Sequence, residues 1–190
     1  PRLAPERSLA ADGGVDQWLF GSKLRLSATY FYTALQEVIV FDFGIIDPLV
    51  DPFGRFGGYR NTGGGLARGA EFSISAAPSS SLNLTASYTY TDSISRAPTV
   101  AGENFFKRLG VSDHMFTLTA TQRFGRRFDI TFDLFAAGDY PLTLFGANRR
   151  LVFDGPVKAA LVATYAILVG EGKELRLFGK SENLFDRRYF

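Results

Sequence analysis

From Lys23 the chain alternates: Lys23, Arg25, Ser27 and Thr29 take the odd positions, and Leu24, Leu26, Ala28, Tyr30 and Tyr32 the even ones. An extended strand turns successive side chains to opposite faces, so this segment predicts a strand with one polar and one apolar side. The same pattern runs longest from residue 82, where Leu82, Leu84, Ala86, Tyr88 and Tyr90 alternate with Asn83, Thr85, Ser87, Thr89 and Thr91. Phe116, Leu118 and Ala120 alternate with Thr117, Thr119 and Thr121, and Phe128, Ile130, Phe132 and Leu134 with Asp129, Thr131 and Asp133. Val157, Ala159, Leu161, Ala163 and Tyr165 form a further apolar row. Tight turns are expected at Gly21-Ser22, Pro78-Ser79-Ser80, Gly125-Arg126 and Gly170-Glu171-Gly172. Long loops are expected at 44–57, 96–111 and 141–154, carrying the turn chemistry of Asp47-Pro48, Asp51-Pro52-Phe53-Gly54, Gly102-Glu103-Asn104 and Gly146-Ala147-Asn148. The reading is eight strands in consecutive antiparallel hairpins, short turns at one end and long loops at the other, as in outer-membrane barrels.

Periodicity does not say which face meets which solvent. In a soluble barrel or sandwich the apolar row would point inward. The polar row from Asn83 to Thr91 contains only Asn, Thr and Ser, which suits the wall of a wet lumen better than a bulk surface. The Tyr30/Tyr32 and Tyr88/Tyr90 pairs sit at one strand end, where a membrane barrel carries an aromatic girdle. Composition sharpens this picture. Nineteen phenylalanines and eight tyrosines favour strands, and 21 basic against 19 acidic residues leave a net charge of +2, which gives no basic surface for nucleic acid. With no cysteine and one histidine, His114, disulfides, thiolate chemistry and multi-histidine metal sites are excluded, and no cofactor or metal is expected. No apolar run is long enough for a spanning helix. The segment Pro1-Arg2-Leu3-Ala4-Pro5-Glu6-Arg7 lacks the pattern of a signal peptide.

Four segments carry a resemblance. Pro5-Glu6-Arg7-Ser8 resembles "L-x-P-E-x-S" at the start of a barrel strand in TonB-dependent outer-membrane receptors. Tyr59-Arg60-Asn61-Thr62-Gly63 followed by Ala67-Arg68-Gly69-Ala70-Glu71 is similar to that family's "Y-x-N-x-G...A-R-x-x-G-x-E" strand. Leu82 through Asp92 resembles "L-x-A-S-Y-T-Y-T-D", and Glu182-Asn183-Leu184-Phe185-Asp186-Arg187-Arg188-Tyr189 resembles "E-N-L-F-D-x-x-Y". Their order agrees with the family. The resemblance implies an all-β, antiparallel up-and-down transmembrane β-barrel. Residues 1–190 would be a partial receptor barrel domain of about eight strands, lacking the plug and a final strand. It implies a bacterial outer-membrane protein taking up a scarce nutrient of the ferric siderophore, cobalamin or oligosaccharide class. Its partners would be membrane lipid and lipopolysaccharide, the transported ligand, and an energy-coupling complex acting through the plug of the full receptor.

With short turns on the periplasmic side, the long loops face the medium. Phe53, Arg55, Phe56, Phe105, Phe106, Lys107, Arg149 and Arg150 are then candidates to contact an aromatic or anionic ligand. The alternative is that they are girdle aromatics and loop charges meeting lipopolysaccharide phosphates or water. Arg68, Glu71, Asp129 and Asp133 are expected to line the lumen in a structural role, Glu71 paired with a base such as Arg68 or one on a neighbouring strand. Asp129 and Asp133 share a face but lie roughly 13 Å apart along a strand, too far for a glycosidase carboxylate pair. Gly63-Gly64-Gly65 lacks a following Gly-Lys-Ser/Thr and reads as a bulge or flexible point in a strand rather than a phosphate loop. His114, beside Asp113, has no Gly-x-Ser-x-Gly element to serve, so no enzyme is expected. The rivals to a partial receptor barrel are a self-contained eight-stranded outer-membrane barrel with a structural or adhesive role, and a soluble β protein binding a small apolar ligand.

Overall fold

The computed structural model of the chain describes residues 3–42, 49, 51–95, 106–107, 111–143, 150–168 and 174–188. Every helix or strand among them is a strand: β1 (Arg7–Leu19), β2 (Leu24–Asp42), β3 (Gly58–Ser79), β4 (Leu82–Ser95), β5 (Phe106–Lys107), β6 (His114–Phe124), β7 (Phe128–Ala137), β8 (Tyr140–Thr143), β9 (Arg150–Phe153), β10 (Val157–Leu168) and β11 (Glu174–Glu182). Eight of these make the path of one sheet, in the order β1-β2-β3-β4-β6-β7-β10-β11, with β5 paired to β4. The predicted eight strands and their sequential order are therefore those observed. A self-contained barrel would need β1 to pair with β11, and these two strands instead end the sheet path.

The first predicted turn is built from three left-handed residues in a row, Phe20, Gly21 and Ser22 (φ 54°, 64° and 69°), and the third uses Gly125 at φ 65°. The predicted turn at Gly170-Glu171-Gly172 lies outside the described residues. One loop departs from expectation. Within 141–154 the chain forms a separate hairpin, β8 with β9, in which Tyr140 stands opposite Phe153 and the two rings stack at 5.8 Å. Four-residue strands, one containing Pro141, are too short for alternation to register.

By backbone packing the chain divides into two compact units. The second comprises Gly13–Tyr30, Gly69–Thr91 and Leu109–Phe190. Its register aligns like with like across five strands. One line runs Thr85–Thr119–Asp133–Ala160–Glu182, and the next Leu84–Ala120–Phe132–Leu161–Ser181. Opposite residues share a face, so the polar and apolar rows predicted strand by strand merge into two continuous surfaces. The apolar surface is not covered. Phe72, Tyr165 and Leu177 keep 50%, 44% and 54% of their surface exposed, and among the described residues of this unit only Gly69, Ala159 and Ala166 are buried. A water-soluble domain of this size buries its large apolar side chains, and this surface leaves them bare. Aromatic rings gather at both ends of β6: Tyr88 and Tyr90 beside His114 at one, Phe124 and Phe128, 5.7 Å apart, at the other. The ten steps from His114 to Phe124 cover ~33 Å, or ~25 Å along the membrane normal at the usual tilt, the height of a barrel's apolar band.

The first unit comprises Pro1–Asp12, Phe31–Arg68 and Asp92–Arg108. Close backbone approach there depends on glycine. A Cβ on Gly64 would meet the Cβ and carbonyl oxygen of Leu35 at 2.5 Å, and one on Gly57 would meet the Phe41 ring at 2.6 Å. Gly63-Gly64-Gly65, expected to be a bulge or flexible point in a strand, lies within the 22 residues of β3.

Candidate functional site

In the first unit, residues 51–57 form a compact turn organised by one carboxylate. Asp51, followed by proline, accepts hydrogen bonds from the backbone N–H of Phe53 at 3.0 Å and of Arg55 at 2.8 Å, the Asx-turn geometry that Asp-Pro-x-Gly favours. The N–H of Gly54, at φ 63°, donates to the Asp51 carbonyl at 3.1 Å. Arg55 then folds back, its Nη2 donating to Asp51 Oδ1 at 2.6 Å and its Nε at 3.1 Å. The Asp51 side chain is left 5% exposed. The Arg55 guanidinium, with the two backbone N–H groups, holds the Asp51 carboxyl down to about 2 and raises Arg55 in turn. The guanidinium lies over the Phe53 ring, 5.1 Å from its centroid.

Two rings from the flanking strands, Phe41 and Tyr59, stand next to this turn. Phe41, from the end of β2, packs edge-on against Tyr59 at 5.3 Å and tilts against Phe56 at 6.1 Å. Phe53, Phe56 and Tyr59 remain 78%, 64% and 58% exposed. The nearby basic residue Arg60 is also engaged, its Nε donating to Asp42 Oδ2 at 2.5 Å. The turn at Asp51 was legible as Asp-Pro-Phe-Gly, but its role as the counter-ion of Arg55 was not singled out, although the i, i+4 spacing permits it. Phe41 and Tyr59 were missed because they lie on strands, distant in sequence from each other.

Of the other loop candidates, Phe105 and Arg149 lie outside the described residues. Phe106 and Lys107 form β5, opposite Ser95 and Ile94, and Arg150 opens β9 opposite Thr143.

The polar surface of the second unit is a network of short hydroxyl and carboxylate bonds. Ser87 and Thr117 share a hydrogen bond at 2.6 Å, Thr121 and Thr131 one at 3.0 Å, and Thr119 Oγ1 donates to Asp133 at 2.7 Å. Arg123 Nε donates to Asp129 at 3.3 Å, and Lys180 pairs with Glu182. Asp129 and Asp133 thus serve different partners. A cavity of about 540 Å³ opens where Thr119, Asp133, Lys158, Ala160, Glu182 and Asn183 converge. Among the described residues no group of three or more acidic or histidine side chains is placed to hold a metal ion.

Arg68, in the first unit, donates from Nε to Asp92 Oδ2 at 3.1 Å, so its ion pair reaches β4 rather than Glu71. Positions three apart on an extended strand face opposite ways, which is why the pairing of Arg68 with Glu71 does not form. Glu71 makes no hydrogen bond or ion pair among the described residues. His114 is held by the Tyr88 hydroxyl, 2.7 Å from its Nδ1, within an aromatic row rather than beside a nucleophile.

The motif-like segments act as clamps. The Asn61 side chain brackets Ala4, accepting from its N–H at 2.7 Å and donating to its carbonyl at 2.8 Å, while Glu6 accepts from the Ile39 N–H. Asn183, in the left-handed region at φ 51°, makes the same pair of hydrogen bonds with the Arg187 backbone, and the Leu184 N–H donates to the Ala159 carbonyl.

Residues 1–167 match the family model described as TonB dependent receptor-like, beta-barrel. No curated protein matches the chain. Among solved structures, FpvA of Pseudomonas aeruginosa, bound to ferric pyoverdine, superposes with a TM-score of 0.74 at 16% identity, over 98% of this chain and 24% of that one. The ferric-catecholate import receptor Fiu of Escherichia coli K12 gives 0.69 at 17%, over 98% and 24%, and the siderophore receptor PiuA of Acinetobacter baumannii 0.69 at 21%, over 99% and 26%. The chain thus spans about a quarter of the length of these receptors.

Proposed function

Because the chain belongs to the TonB-dependent receptor-like β-barrel family, we propose that it supplies wall strands and loops of a bacterial outer-membrane receptor that imports a scarce nutrient. The observation that carries this reading is the pair of surfaces on one sheet, a hydroxyl-lined face and an uncovered apolar face with aromatic rings at both ends. The apolar face meets lipid, and the hydroxyl face lines the lumen through which a hydrophilic ligand passes. Arg68, Asp129 and Asp133 hold the wall through their cross-strand bonds. Glu71, without a partner in the described chain, suits a contact with a basic group of the plug, through which an energy-coupling complex would act.

Short turns fall on the periplasmic side, so residues 51–57 face the medium and Phe53, Arg55 and Phe56 reach the ligand. Phe105, Phe106, Lys107, Arg149 and Arg150 are proposed as further contacts for the same ligand. Ferric siderophores lead the ligand classes because FpvA, Fiu and PiuA are receptors for ferric complexes or siderophores; cobalamin and oligosaccharides are the others. Deleting the coding region for the chain should abolish growth when one of these ligands is the sole source of its nutrient, and uptake should stop on addition of a protonophore. Unchanged growth across all three classes would refute an import role.

A further inference from the structure

The exposed rings near residues 51–57 stand among two arginines, and both arginines are already spoken for. Arg55 is held by Asp51 through its Nε and Nη2, and Arg60 by Asp42. Each cation sits against a carboxylate, so the cluster carries no net charge to attract an anion. What remains exposed is ring surface: Phe53, Phe56 and Tyr59, with Phe41 as their packing centre. Two backbone N–H groups, a guanidinium and a left-handed glycine fix the turn that carries Phe53 and Phe56, so little ordering remains to be done on binding.

We propose that this cluster seats an uncharged aryl group of the ligand, and that Asp51 keeps anions out by occupying Arg55. The proposal rests on the reading of residues 51–57 as ligand-facing. Rings offer edge-to-face and offset contacts to another ring that a saturated group of the same size cannot match. Charge complementarity points the same way: a carboxylate or sulfonate arriving here meets a guanidinium whose charge Asp51 already neutralises.

The test uses outer-membrane vesicles carrying the full chain, with vesicles lacking it as the blank. Three water-soluble probes are titrated by saturation-transfer NMR: phenyl glucoside, cyclohexyl glucoside and benzenesulfonate. Phenyl glucoside should bind about threefold to tenfold more tightly than cyclohexyl glucoside. Its affinity should change less than about twofold as salt rises tenfold. Benzenesulfonate should be the weaker aryl probe on the native chain. Asp51→Asn should invert that order, raising benzenesulfonate affinity at least about fivefold at low salt and making it salt-sensitive. Phe56→Leu, which keeps apolar bulk and leaves the Asp51–Arg55 turn untouched, should erase the preference for phenyl over cyclohexyl glucoside. Native benzenesulfonate binding that exceeds phenyl glucoside and falls with salt would overturn the proposal, as would equal affinity for the two glucosides. Because the chain has no cysteine, Phe53→Cys labelled in intact cells with an impermeant maleimide separates the two readings. Labelling without aryl preference overturns the aryl seat alone, and absence of labelling overturns the outward-facing loop as well.

Discussion

Leu161 and Ala160 are adjacent on β10 and should answer the same substitution in opposite ways. Leu161 stands opposite Phe132, which stands opposite Ala120. Ala120 is four residues from Phe124 and six from His114, which places this line ~10 Å and ~15 Å from the two aromatic belts, close to the bilayer midplane. An arginine in place of Leu161 enters the apolar surface there, at a cost of ~2–4 kcal/mol, or roughly 30- to 900-fold in the folding equilibrium. Ala160 faces the other way, between Asp133 and Glu182. An arginine there enters the polar face with carboxylates on either side, and its cost should stay below about 1 kcal/mol. The assay is urea unfolding of the chain in phospholipid vesicles, followed by Trp18 fluorescence, with the midpoint and slope fitted for both variants. Equal penalties, or a larger one for Ala160→Arg, would show that the uncovered apolar face does not meet lipid.

Gly64→Ala should destabilise the chain by about 1–3 kcal/mol, because its Cβ would meet Leu35 at 2.5 Å, whereas Gly13→Ala, with nothing within 4 Å, should be nearly neutral in the same urea titration. Thr119→Val removes the 2.7 Å donor to Asp133, and because that bond is open to solvent the cost should be about 0.5–1.5 kcal/mol, while Asp133→Asn, which keeps an acceptor, should cost less. The Asp51–Arg55 turn should hold at all pH values above the usual carboxylate range. Asp51 is depressed to about 2, so its stabilising share is complete above the unfolded value of 3.8 and fades as pH falls through 2. The Arg55 Nε proton resonance should report this, and a transition near neutral pH would refute the assignment. Ser22→Gly relieves a left-handed residue at φ 69° and should raise the unfolding midpoint by the equivalent of up to about 1 kcal/mol.

Much of the wall was readable because its chemistry repeats every two residues. Leu82 to Thr91 and Phe128 to Leu134 announce both their strands and their faces, and the observed register simply sets those rows side by side. The Asp51 turn was visible as turn chemistry, since Asp-Pro-x-Gly acts over four residues. The ring cluster was half visible. Phe53 and Phe56 were picked out as loop aromatics, but Phe41 and Tyr59 join them only once β2 and β3 pair. In sequence Arg55 stands as a cation available to a ligand, and only the folded turn puts its guanidinium on Asp51. The β8–β9 hairpin went unread because each arm is four residues long. Arg68 was one of the bases expected for Glu71, the other being a base on a neighbouring strand, and the partner it reaches, Asp92, lies 24 residues away on the next strand.

The bracket between Asn61 and Ala4 spans 57 residues, and this bears on the order in which the chain is put together. The main sheet path runs in chain order, so each strand can be added to the one made just before it without waiting for distant sequence. Ala4 is different: its amide and carbonyl stay unlatched until β3 has been delivered, because the amide that meets them belongs to residue 61. The segment before β1 is therefore secured by a strand made later. A nascent intermediate holding only β1 and β2 would leave the Ala4 amide and carbonyl open to solvent, and amide exchange there would slow once Asn61 arrives.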